Sequence, residues 1–344
     1  VNFSFRLRAR FDGEPWLMFR WLVRAQPTGQ AAFVDTGRWC VCSASPELFL
    51  ERRGREVISR PMKGTAARGL WVEDDRARGQ DLERSEKDRA ENVMIVDMVR
   101  NDLGRLADVG SVRVERLWEA ERFPTVWQLT STVRAETGAG LVDLLCATFP
   151  AASITGAPKS STMRIIRELE EHPRRVYTGS VGFVRPGGDL QLNVAIRTVL
   201  VDREAGEAEY GVGGGVVWDS SPEGELDECR TKARMLTRAP ADFRLLESVL
   251  WTPGEGLAGL GEHLDRMEGS VELDRDGAPG VSAAAVPETP SPYRVCLAAR
   301  PVGSDDPFLY HKTTHRQLYD DALAARPAGC DDVLLWNERG ELTE

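Results

Sequence analysis

Glu91 and Glu228 are the first residues in this sequence whose chemistry could combine. Each falls in a stretch of helical character, and two carboxylates from separate helices suit a hard cation. Mg²⁺ takes one or two carboxylates and leaves its other positions to water and an anionic ligand. Spacing alone does not show that the two meet, and singly each reads as a solvated helix acid. Beside Glu228, the positions of Glu225, Glu228 and Lys232 are i, i+3 and i+7, one face of a helix. The run Gly213 to Gly215 has its own chemistry, since glycines let backbone N–H groups approach an anion closely. The same run read without context is a β-bulge or turn.

These groups need elements to position them. Residues 1–60 alternate apolar and polar positions in short runs such as Ala32 to Val34 and Trp39 to Val41, as strands do. A long helix is expected from Asp81 to Val99, with Leu82, Met94, Ile95 and Met98 at helical spacings and Glu91 one turn before Met94 and Ile95. The turn-like TGAPK at Thr155 to Lys159 feeds a second helix over Ser160 to Glu171. The stretches 176–184, 190–201 and 209–217 then read as three neighbouring antiparallel strands with one shared face. Ser221 at a cap position and Pro222 behind it open a helix running to Leu236. Pro240 marks a boundary, and residues 276–292, rich in Gly, Ala, Pro and Ser, read as a linker.

Composition excludes more than it assigns. The 344 residues fit two domains better than one. With 54 acidic against 44 basic residues and no long Lys/Arg run, neither a nucleic-acid nor an anionic-membrane footprint is expected. Six cysteines without CxxC spacing, and four histidines without HExxH or HxE patterns, argue against a zinc site. The thiols are expected to be reduced and the compartment cytoplasmic. No apolar stretch approaches the length of a membrane span, and the N-terminus lacks the layout of a signal peptide.

Seven motifs occur in order: SASPELFL (43–50), RPMKGTAARG (60–69), AENVMIVDMVRNDLGR (90–105), FPAASITGAPK (149–159), VYTGSVG (176–182), AIRT (195–198) and GGGVVWDSSPEGELDE (213–228). Together they resemble the chorismate-utilising enzymes, a family that includes anthranilate, aminodeoxychorismate, isochorismate and salicylate synthases. The resemblance covers residues 1–238 and implies an α+β fold of antiparallel sheets with flanking helices. Matched residue by residue, it makes Glu91 and Glu228 Mg²⁺ ligands, the metal bridging to the ring carboxylate of chorismate. Glu225 and Lys232 stand beside that site. Thr65, Tyr177, Arg197, Gly213 and Gly215 match positions that hold the substrate's carboxylates, a role for which the planar fork of Arg is suited.

Within the family, Lys63 marks a branch. Members that form aminodeoxychorismate resemble this chain in carrying Lys in PxKGT, whereas anthranilate- and isochorismate-forming members usually have Ala. The implied role is covalent: the amine attacks C2, the C4 hydroxyl leaves, and ammonia then attacks C4 and expels the lysine. Lysine serves this way only when neutral, which requires desolvation or a neighbouring positive charge. Glu47 matches the general acid that protonates the departing hydroxyl, and its apolar neighbours Leu48 and Phe49 favour the protonated form. Outside the motifs, Lys63 and Glu47 would read as surface residues. Anthranilate-forming relatives usually have His where this chain has Asn92 and Gln128. Gln128 cannot accept a proton at neutral pH, so the product is expected to keep its enolpyruvyl group. No Cys/His/Glu glutaminase constellation is recognisable, which implies a glutamine amidotransferase partner as the source of ammonia.

Residues 239–344 resemble part of the class IV pyridoxal-phosphate (PLP) enzymes, an aminotransferase-like α/β domain. FRLLESVLW (243–251), GEHLDRMEGS (261–270), LYHKTTHRQLYDDA (309–322) and VLLWNERGELTE (333–344) carry the likeness. Lys312 matches the Schiff-base lysine, Arg266 a phosphate-binding arginine, and Glu344 the acid that pairs with the pyridine nitrogen. The chain opens at Val1 and closes at Glu344 within a motif, so a fragment is expected, with the N-terminal part of the first fold and the end of the second absent. Two rivals remain, an anthranilate synthase component and an inert module that only binds the amidotransferase.

Overall fold

The computed structural model describes residues 1–69, 72–218, 220–237, 251–252, 256–257, 261, 294–306, 308, 313 and 315–343. The chain forms two compact units, Val1–Arg68 with Ala77–Pro240, and Gly69–Arg76 with Ala241–Glu344. Arg266, Lys312, Glu344 and the linker 276–292 lie outside the described residues.

The first unit is built on two antiparallel sheets. One contains β1 (Asn2–Arg10), β2 (Ala32–Asp35), β3 (Trp39–Ser43), β11 (Thr198–Asp202) and β12 (Glu207–Gly215), in the order β1-β12-β11-β3-β2. The other contains β4 (Leu48–Arg53), β5 (Glu56–Arg60), β6 (Met62–Ala67), β8 (Val126–Glu136), β9 (Ser180–Val184) and β10 (Leu190–Val194), in the order β6-β8-β5-β4-β10-β9. Strand β7 (Arg113–Arg122) pairs with β8 beside them.

Each sheet buries one face, as period-2 alternation dictates. On the first sheet Cys40, Cys42, Val199, Val201, Tyr210 and Val212 pack with Leu22 and Ala25 of α1 (Pro15–Ala25) and Cys229 of α6 (Pro222–Ala233). On the second, Leu50, Val57, Val133 and Leu190 pack with Val96 and Leu103 of α3 (Glu86–Gly104) and Leu144 of α4 (Leu141–Thr148). Fully buried leucines such as Leu22, Leu50 and Leu144 each contribute about 2 kcal/mol by leaving water.

Three elements differ from the sequence pattern. Within residues 1–60 a helix, α1, interrupts the strands. Pro15 opens it, and Leu22 and Ala25 supply a buried helical face. The expected helix over Asp81 to Val99 is two helices, α2 (Val72–Arg84) and α3, because Ser85 adopts an extended conformation and its side chain accepts from Asp88 N, capping α3. The stretch 190–201 is divided as well. Strand β10 belongs to the second sheet and β11 to the first, and the chain crosses at Arg197, whose φ of 50° turns it from one to the other. The helix after Thr155–Lys159 appears as α5 (Lys159–Leu169), and α6 opens on a Ser221 cap with Pro222 behind it.

In the second unit, β15 (Val295–Leu297) pairs in parallel with β16 (Asp332–Leu334), and α7 (Gln317–Ala324) lies between them in the chain. Ala298, Val302, Val333 and Leu335 form its small core. The two-residue strands β13 (Trp251–Thr252) and β14 (Gly256–Leu257) pair with each other. No single helix among the described residues is long and apolar enough to cross a membrane.

Candidate active site

Lys63 lies at a β-bulge in β6. Met62 pairs with Thr130 and Thr65 with Gln128, so the register shifts between them and the extra residue re-aims the side chains around it. Gly64 permits the bulge: its φ is 98°, and a Cβ there would lie 3.1 Å from Asp88 Cβ and from Leu129 Cβ. Asn92, next to Glu91 on α3, holds the bulge from the helix side. Its Nδ2 donates to Lys63 O at 3.4 Å and to Leu129 O at 3.2 Å, while Ser131 Oγ donates to its Oδ1 at 2.6 Å.

Strand β12 presents glycine to these side chains. A Cβ at Gly215 would lie 2.5 Å from Lys63 Nζ and 3.7 Å from Glu91 Oε2, so any side chain there would displace the amine from this seat. At Gly211 a Cβ would lie 2.1 Å from Tyr177 Cγ, which lets the ring rest on the strand. The close approach of β1 at Gly213 leaves no room for a side chain, with Phe3 O 2.2 Å from a Cβ. Gly214 faces α6, where a Cβ would lie 2.5 Å from Glu225 Oε2, and Ser220 Oγ donates to the other oxygen of Glu225 at 2.6 Å.

Helix α6 supplies the rest. Lys232 Nζ pairs with Glu228 Oε1 at 2.6 Å and donates to Gly213 O at 2.8 Å. Arg197 is buried and donates to Lys232 O at 3.1 Å, where the Tyr210 hydroxyl also donates, at 2.9 Å. The structure thus ties Arg197 to the last turn of α6 and not directly to Lys63 or Glu91. Gln128 Nε2 donates to Thr65 Oγ1 at 3.0 Å, leaving the Thr65 hydroxyl proton available to an anion.

Glu47 occupies the loop between β3 and β4 and is 3% exposed. The loop is pinned to β10: Ser45 Oγ donates to Val194 O at 2.5 Å and accepts from Glu47 N at 3.2 Å, and Val194 N donates to Glu47 O at 3.1 Å. Burial pushes the Glu47 carboxyl up to about 7, against the pull of Ser153, the Met62 backbone and Lys63. Burial also lowers the Lys63 amine, and the Lys232 charge lowers it further, outweighing Glu91, Glu228 and Glu47. An acid shifted toward its protonated form and an amine driven toward neutrality thus stand in one region.

Glu91 and Glu228 are close enough to influence one another. Burial raises Glu91, whereas at Glu228 burial is outweighed by Lys232, Lys63 and Lys87, which hold the carboxyl below its usual range. Among the described residues no group of three or more His, Cys, Asp or Glu gathers as a metal cluster. A cation here would rest on two carboxylates and draw further ligands from water and an anion, a donor set that fits Mg²⁺ and not zinc. Burial raises the Tyr177 hydroxyl as well, so it is a donor at neutral pH.

Several residues at the site carry weak sequence signals or none. Asn92 stands out in sequence only as a departure from relatives, and its bridge to Lys63 O appears only once β6, β8 and α3 are assembled. Ser45 is detectable as a turn hydroxyl two residues before Glu47. Gly211 lies outside the triple-glycine run, and nothing local marks it as the seat of Tyr177.

A family model of chorismate binding enzymes matches residues 1–238. Over 231 residues the chain is 46% identical to the aminodeoxychorismate synthase of Streptomyces griseus, covering 66% of this chain and 32% of that protein. It is 42% identical over 238 residues to aminodeoxychorismate synthase component 1 of Klebsiella aerogenes, covering 69% and 52%. Anthranilate synthase component I of Streptococcus pneumoniae has a similar structure, with a TM-score of 0.63 at 35% identity over 69% of this chain and 53% of that one. The chain spans about half the length of these relatives or less.

Proposed function

The chain belongs to the chorismate binding enzyme family, and from that premise we propose that it catalyses aminodeoxychorismate synthesis, replacing the C4 hydroxyl of chorismate by an amine. The observation that carries this reading is the Lys63 amine, lowered by burial and by Lys232 and seated against Gly215. The two aminodeoxychorismate synthases at 46% and 42% identity support it.

Lys63 Nζ bonds to C2, the ring double bonds shift, and the C4–O bond breaks as Glu47 gives its proton so that oxygen leaves as water. Ammonia then bonds to C4 and takes the positive charge as an ammonium, the double bonds shift back, and the C2–N bond breaks with its electron pair on Nζ, which returns Lys63 as the neutral amine. Mg²⁺ held by Glu91 and Glu228 supplies positive charge against the ring carboxylate when bound. Thr65 and Tyr177 donate to the substrate's carboxylates, and the open backbone at Gly215, beside Lys63, lets the ring approach β12, whereas Gly213 gives its space to β1. Arg197 acts through the last turn of α6. A glutamine amidotransferase partner supplies the ammonia.

The test is to incubate the chain with chorismate, Mg²⁺ and an ammonium salt and identify the product by mass. 4-Amino-4-deoxychorismate is expected. Anthranilate would transfer the chain to the branch of its Streptococcus relative, and absence of metal-dependent chorismate binding would leave an inert module.

A further inference from the structure

Glu47 gives up one proton per turnover, yet it is 3% exposed, so the proton must return along a built route. Glu47 also lines a small cavity bounded by Leu50, Pro61, Val99, Leu103 and Ala152, with room for about one water molecule. Four further polar residues share the walls: Ser59, Asp102, Thr148 and Ser153. The Thr148 hydroxyl is committed to Leu144 O at 2.7 Å, and Asp102 is held by Lys159 Nζ at 2.5 Å. Ser153 differs. It is 6% exposed, its Oγ completes no hydrogen bond of good geometry to another residue, and the partner it stands nearest to bonding is Glu47, whose ionised carboxyl it favours. A hydroxyl with no partner but a buried carboxyl, on the wall of a cavity of water size, has the donor and acceptor capacity to hold a water there.

We propose that Ser153 and one water molecule in this cavity return the proton to Glu47 after each turnover. The proposal rests on the assignment of Glu47 as the acid. When the C4–O bond breaks, the Glu47 proton leaves with the oxygen and the carboxylate carries the charge. The water, oriented by Ser153, passes a proton to that carboxylate and regains one from bulk solvent past Asp102 and Lys159. The proton taken up for each hydroxide released as water is matched by the one ammonium gives up on becoming ammonia, so the route exchanges protons with solvent without net consumption, and no oxidant or reductant takes part. The charged groups around the route are Lys63 by Glu47, and Lys159 and Arg105 by Asp102. Ser153 touches no substrate in this scheme and is a positioning residue.

The test compares Ser153→Ala and Ser153→Thr in the full chain with chorismate, ammonium chloride and Mg²⁺. At a pH about one unit below the value of about 7 to which burial pushes Glu47, the acid starts protonated, so the first turnover of Ser153→Ala should stay within about twofold of wild type while the steady-state rate falls about tenfold, more steeply in D₂O. Chorismate affinity should be unchanged, and Ser153→Thr, which keeps the hydroxyl, should restore the rate. A wild-type steady state in Ser153→Ala, or equal loss in both phases, overturns the proposal. Should the wild-type chain form no product, the functional assignment fails separately, and the route is read from Glu47 alone. Infrared spectroscopy after transfer to D₂O, with Glu47→Gln to assign the band, should show slower carboxyl exchange in Ser153→Ala. Equal exchange rates would sink the relay.

Discussion

The second sheet brings side chains to the site, Lys63 from the β6 bulge and Glu47 from the loop before β4, whereas the first sheet brings the glycines of β12. A Cβ at Gly215 would stand 2.5 Å from Lys63 Nζ, and one at Gly211 would stand 2.1 Å from Tyr177 Cγ. One sheet supplies reactive groups and the other supplies the space they enter. Substitutions on the second sheet should therefore act on rate, and those on the first should act through packing.

Lys63→Ala is the sharpest test of the chemical side. Product formation should fall by at least about a hundredfold, while chorismate affinity, measured by calorimetry, changes far less. A wild-type rate and product would reduce Lys63 to a turn residue. Mass spectrometry of wild type incubated with chorismate and no ammonia should place an adduct on the peptide containing Lys63.

Glu47→Gln should lower the rate by about a hundredfold. Because Glu47 acts as an acid near 7, the wild-type rate should fall as pH rises through about 7. Stability follows the same sign. A carboxyl raised from 4.5 to about 7 contributes fully below 4.5 and loses that contribution as pH rises through about 7. Denaturant titrations at pH 5 and pH 8 should show that loss in wild type and not in Glu47→Gln. A parallel dependence in both proteins would remove Glu47 as its source.

Smaller effects are expected from the helices that face the sheets. Glu91→Gln or Glu228→Gln removes a formal charge while nearly preserving shape, and Mg²⁺-dependent chorismate binding should weaken about tenfold. Unchanged binding in both variants refutes the metal assignment.

The smallest effect tests the packing side. Gly211→Ala should cost about 1–3 kcal/mol of stability through overpacking against Tyr177. Thermal or denaturant unfolding measures it, and a fully stable variant would show that the ring has somewhere else to go.

Much of the fold is legible in local sequence. Ser221 and Pro222 mark the start of α6, and the sequence pattern marks β2, β3 and β12. Other boundaries are not. Nothing in the apolar run 190–201 announces that Arg197 turns the chain from one sheet to the other, because a positive φ at arginine is imposed by the pairing on either side: Ala44 N donates to Arg197 O, and Ala195 N to Gly179 O. The same crossing sends the Arg197 guanidinium to the last turn of α6, a placement that the motif AIRT does not contain.

By itself the sequence determined the residue types and their order: an amine in PxKGT, an acid in SPE, carboxylates on two helical stretches, and glycines where backbone must stay open. Those properties are local, set by side-chain chemistry and by the φ values that glycine allows. Only the tertiary structure decided that Glu91 and Glu228 influence one another and that Lys63 meets Gly215. It also decided that Glu47 loses its water, because proximity and desolvation depend on which distant segments cover a group.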